Sequence, residues 1–71
     1  MTAAWEKFEF RGDKECFYRL TPTSPPLMEV QCQWGTKTLK PIVGLPHERT
    51  ARIAVAELLW TDRALRTRKP T

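Results

Sequence analysis

Hydrophobic and polar positions alternate from Trp5 to Val43 and then recur at helical spacing from Pro46 onward. Trp5 to Arg11 places Phe8 and Phe10 on one side and Lys7, Glu9 and Arg11 on the other, the pattern of a half-buried strand. Gly12-Asp13 is a turn signal, after which Cys16, Tyr18 and Leu20 share one face of a second strand. Thr21 to Pro26 holds three prolines and is excluded from a central strand. Leu27 to Trp34 alternates most cleanly, with Met28, Val30, Cys32 and Trp34 opposite Glu29, Gln31 and Gln33. A turn at Gly35-Thr36 leads to a short fourth strand over Thr38–Val43, with Leu39 inward and Pro41 restricting it to a sheet edge.

A slip of one residue turns every side chain over, so the register must keep the apolar faces together. Centring the second hairpin on Ser24 sets Leu20 opposite Met28, Tyr18 opposite Val30 and Cys16 opposite Cys32. In the first hairpin a two-residue Gly12-Asp13 loop sets Phe10 against Glu15. A three-residue loop over Gly12, Asp13 and Lys14 instead sets Phe10 against Cys16 and Phe8 against Tyr18, and is the one expected. The outer face then shows Lys7, Arg19 and Glu29 in one row and Glu9, Phe17 and Gln31 in the next.

Gly44-Leu45-Pro46 punctuates the chain before a helix over residues 46–68, with Pro46 in its first turn and Thr61-Asp62 as a point where it can break and re-cap. At 100° per residue, Ile53, Ala56, Trp60 and Ala64 form one stripe, and Ala51, Ala54, Leu58 and Leu65 form another nearly opposite. A helix on one small sheet buries only one stripe. The first is expected to cover Phe8, Tyr18, Val30 and Trp34, leaving Val55, Leu58, Leu59 and Leu65 partly uncovered. The fold class is α+β: a three- or four-stranded antiparallel meander (1–43) packed against a C-terminal helix, followed by a tail (69–71), in one domain of 71 residues.

Composition adds bounds. Hydrophobic residues at 41% and charged residues at 28% are ordinary globular values. The net charge of +4 is concentrated late: residues 1–46 carry six Lys/Arg against five Asp/Glu, and 47–71 carry six against three. No apolar run approaches the ~20 residues needed to span a bilayer, and nothing reads as a leader, so the expectation is a cytoplasmic chain that binds no membrane. In a reducing compartment Cys16 and Cys32 are expected as free, inward thiols rather than a disulfide.

The short motifs carry little chemistry. Arg11-Gly12-Asp13 falls on the expected hairpin turn, and Pro22-Thr23-Ser24-Pro25 on an ordered loop. His47-Glu48 begins like a zinc-protease box, but Ala51 stands where the second histidine must be. With one histidine and inward cysteines there is no catalytic set, so neither an enzyme, a cofactor, a metal site nor a small-molecule substrate is expected. The order of elements resembles small strand-and-helix DNA-binding domains of the integrase-arm type and the last three strands and helix of a double-stranded-RNA-binding domain.

Two functions follow as expectations. The first is an accessory or regulatory protein that docks on a protein partner, or on its own twin, through the apolar helix surface. Its anchors are Val55, Leu58, Leu59, Trp60 and Leu65, with Arg52 and Arg63 orienting the contact. The second is a small basic nucleic-acid-binding module using Arg49, Arg66, Arg68 and Lys69 together with Lys7, Phe17 and Arg19 on the outer sheet face.

Overall fold

The computed structural model describes residues 4–67, so Arg68, Lys69 and the tail at 69–71 lie outside the described residues. In chain order the elements are β1 (Glu6–Phe10), β2 (Asp13–Leu20), β3 (Met28–Cys32), β4 (Gly35–Leu39) and α1 (His47–Thr67). The strands form one antiparallel meander in the order β1-β2-β3-β4, and α1 crosses one face of it. This is the expected α+β arrangement, with the fourth strand present.

The first hairpin reaches its parity by another device than the three-residue loop. Arg11 and Gly12 form a two-residue turn at φ 49° and 84°, and Phe10 pairs with Asp13. Two positive φ values suit the right-handed twist of the strands that the turn joins. An extra residue in β2 then forms a bulge, so Phe8 pairs with Cys16 rather than with Tyr18. Asp13 fastens this bulge: its Oδ1 accepts the Glu15 N–H at 2.9 Å and its Oδ2 accepts from Gln33 Nε2 at 2.9 Å. Those bonds hold the Asp13 carboxyl below its ordinary pKa, the Glu15 N–H contributing most.

The second hairpin has the expected register, Leu20 opposite Met28 and Tyr18 opposite Val30. Its proline-rich loop is closed by the Thr21 N–H on the Leu27 carbonyl at 2.8 Å and by the Leu27 N–H on Thr21 Oγ1 at 2.9 Å. In the third hairpin the turn is Gln33-Trp34, not Gly35-Thr36, because Cys32 already pairs with Gly35. β4 therefore lies three residues earlier than expected, and Pro41 falls beyond it. Trp34 leaves the strand and sets its ring edge-on to Phe10, centroids 6.4 Å apart. Leu39 still faces inward, opposite Met28.

The Pro46 carbonyl accepts the N–H groups of Arg49 at 3.0 Å and Thr50 at 3.2 Å, which places Pro46 at the cap rather than inside the first turn. α1 runs unbroken through Thr61. The Thr61 hydroxyl donates to the Glu57 carbonyl at 2.9 Å, the back-bond of a helix-interior threonine, so it does not re-cap the chain.

The core consists of Phe8, Phe10, Cys16, Met28 and Val30 from the sheet and Ala51, Ala54, Val55 and Leu59 from the helix. The buried stripe of α1 is thus the Ala51–Ala54 side, while Ile53 and Trp60 face away and Ala56 is half-buried at the edge of the core, the reverse of the sequence expectation. Packing explains the choice. The sheet already supplies large side chains, and Ala51 and Ala54 let the helix axis come close while Val55 and Leu59 fill the flanks. Seating the other stripe would also have drawn Arg49 and Arg63 toward the sheet.

Candidate protein-docking surface

α1 continues beyond its buried part. Twenty-one residues at 1.5 Å each make about 31 Å, and burial stops well before the end of that length. The last buried residue is Leu59, and from Trp60 to Thr67 only Asp62 is half-covered. Leu65 marks the overhang. It stands seven residues after Leu58, on the side of the helix that carries Ala51 and Ala54, yet is 66% exposed, past the last buried residue of the helix.

Of the five anchor residues expected from sequence, the fold takes two into its interior. Val55 is 0% and Leu59 5% exposed, so neither offers an outward surface. Leu58 is half-buried, its Cδ2 passing over Gly35 at the start of β4. Trp60 and Leu65 remain outward, and Ile53, which the sequence pattern assigned to the core, joins them at 38% exposure. The signal for Ile53 was present in the charges. Between Arg49 and Trp60 the side bearing Ala51, Ala54, Val55 and Leu58 carries none, whereas the Ile53 side carries Arg49 and Arg52.

The two orienting arginines are both engaged with aromatic rings. Arg63 stands 5.9 Å from the centroid of Trp60, and Arg52 stands 5.7 Å from that of Phe10 while its Nη1 donates to the Glu9 carbonyl at 2.5 Å. Arg52 is in this way tied to the edge of β1.

Of the residues of the nucleic-acid reading, Lys7, Phe17 and Arg19 share the outer sheet face, whereas Arg49 and Arg66 lie apart on α1. The β2 bulge rearranges the outer face, setting Lys7, Phe17, Gln31 and Thr36 in one row and Arg19, Glu29 and Thr38 in the next. Lys7 pairs with Glu15 at 3.6 Å, and Arg19 pairs with Glu29 at 2.6 Å while lying 4.5 Å from the Trp5 ring centroid. Phe17 is half-buried among these charges. Arg66 pairs with Asp62 at 2.9 Å on the overhang, and Arg49 is exposed at the opposite end of α1.

The remaining chemistry is sparse. A cleft of about 310 Å³ lies where β2 meets the start of α1, lined by Glu6, Tyr18, Leu20 and His47 among others. Burial raises the Tyr18 hydroxyl above its ordinary pKa, with Glu6 and then Glu48 adding to the rise. Cys16 and Cys32 are free thiols, and burial pushes Cys16 up to about 11, far from the thiolate that nucleophilic chemistry requires. Among the described residues no three His, Cys, Asp or Glu side chains gather as a metal site needs, and no helix is long and apolar enough to cross a membrane. No family model, curated protein or solved structure matches the chain.

Proposed function

We propose that this is a non-enzymatic accessory protein that docks on a protein partner through the outward face and overhanging end of α1. One observation carries the reading: Trp60 at 63% and Leu65 at 66% exposure stand on helical turns that follow the last buried residue of α1. Large apolar side chains held on a rigid element, with Arg63 beside them, are the residue types and setting of interface anchors. Leu65 supplies the underside of the projecting end and Trp60 its outer side, so a groove that received the end would touch both. The nucleic-acid reading has less to support it, because Lys7, Arg19 and Arg66 each already face a carboxylate.

A photo-crosslinking side chain placed at residue 60, compared with one at Thr38 on the outer sheet face, tests the reading in the source cell. A discrete protein adduct is expected from residue 60 alone, abolished by Leu65→Lys. Equal adducts from both positions, or none from residue 60, would overturn it.

A further inference from the structure

Arg49, Ile53, Ala56, Trp60, Arg63 and Thr67 follow one another at steps of four, three, four, three and four along α1, all of them exposed except Ala56, which is half-buried against the core. That spacing is the seam on which a second helix lies. Two exposed apolar side chains, Ile53 and Trp60, occupy its middle with the half-buried Ala56 between them, and an arginine brackets them at each end. Fourteen residues separate Arg49 from Arg63, about 21 Å along the axis.

The charges on this seam are one-sided. Arg52 lies on the same flank as Arg63, and among the described residues none of Arg49, Arg52 and Arg63 pairs with a carboxylate. The opposite flank is neutralised, because Glu57 is already held by Lys37 reaching up from β4. Resting on the docking role above, we infer that the occupant of this seam is an acidic amphipathic helix of another protein, with carboxylates near both ends of its apolar stripe.

A second copy of the chain fits poorly. Pairing in parallel would set Arg49 on Arg49 and Arg63 on Arg63, and antiparallel pairing would set Arg49 on Arg63, so both orientations oppose like charges. Apolar surface alone is also small. At ~150–250 Å² for a whole aromatic side chain, Trp60 at 63% exposure and Ile53 at 38% offer on the order of 200 Å², against ~800 Å² per partner in a standard interface. Charge must therefore contribute to holding the partner. The apolar side chains of Ile53 and Trp60 between the arginines match apolar side chains rather than a phosphate backbone.

The full chain is titrated, by fluorescence anisotropy, into a labelled peptide of about 16 residues, four to five helical turns, with leucines on one face and glutamates flanking them. Parallel titrations use the same peptide with lysines for glutamates, a single-stranded oligonucleotide and a duplex, and light scattering gives the mass of the chain alone. The glutamate peptide is expected to bind at least about tenfold more tightly than the lysine peptide and to weaken as salt rises. Arg49→Glu and Arg63→Glu, each checked for unchanged circular dichroism, should remove that preference, while Trp60→Ser should weaken both peptides.

Equal binding of the two peptides overturns the acidic partner and leaves the docking role standing. Tighter binding of either oligonucleotide overturns it in favour of a nucleic acid. A two-chain mass abolished by Trp60→Ser gives the seam to a second copy. A single-chain mass with no peptide bound removes both the inference and the role it rests on.

Discussion

Thr50 is fully buried, and its Oγ1 has no hydrogen-bond partner among the described residues. A threonine in a helix ordinarily returns its hydroxyl to a carbonyl of the preceding turn, as Thr61 does to Glu57. Thr50→Val replaces that hydroxyl with a methyl group of nearly the same shape, so the packing around it is kept and the desolvated polar atom is removed. Val and Thr have similar helix propensities, so the backbone contributes little to the difference. Leaving a buried hydroxyl unsatisfied costs about 1–3 kcal/mol, and the substitution should recover about 1–2 kcal/mol of it. In urea, with a slope of about 1 kcal/mol/M for so small a domain, the midpoint should rise by about 1–2 M. The melting temperature should rise by roughly 4–8 °C per kcal/mol. Thr61→Val, at an exposed position, is the control and should move stability by less than about 0.5 kcal/mol. A fall in the Thr50→Val midpoint with an unchanged slope would refute the reasoning, because it would mean that the hydroxyl is satisfied in solution.

Other outcomes follow from the same geometry. Leu59→Ala should cost about 2–5 kcal/mol in denaturant melts, whereas Leu65→Ala on the overhang should stay within about 0.5 kcal/mol, and equal losses would contradict the projecting helix. Arg11→Asn, placing a residue that tolerates the left-handed region at φ 49°, should stabilise the first hairpin by a few tenths to about 1 kcal/mol in the same melts. Because burial raises Cys16 to about 11, the folded chain keeps a proton that the unfolded chain releases from about pH 8.5 upward. Bound protons are then fewer in the unfolded state, so stability should fall as pH climbs from 8.5 toward 11, and Cys16→Ala should flatten that slope.

The period of the apolar residues in the sequence determined the meander, the helix and their order. It also determined the second-hairpin register, because Tyr18, Leu20, Met28 and Val30 share a face in only one pairing. Positions set by a balance between local geometries were decided by the fold. The β2 bulge, held by Asp13, does the work that the sequence assigned to a longer loop, and Trp34 forms a turn because its ring packs on Phe10. Trp60 and Leu65 were legible as surface candidates, Ile53 was legible only from the arginines that share its side, and Val55 and Leu59 were placed outside the core when they lie within it. Two stripes of similar hydrophobicity on one helix look alike in a linear pattern. Which of them is buried depends on the volume already filled by Phe8, Phe10, Met28 and Val30 beneath it, and that volume exists only once the strands have met.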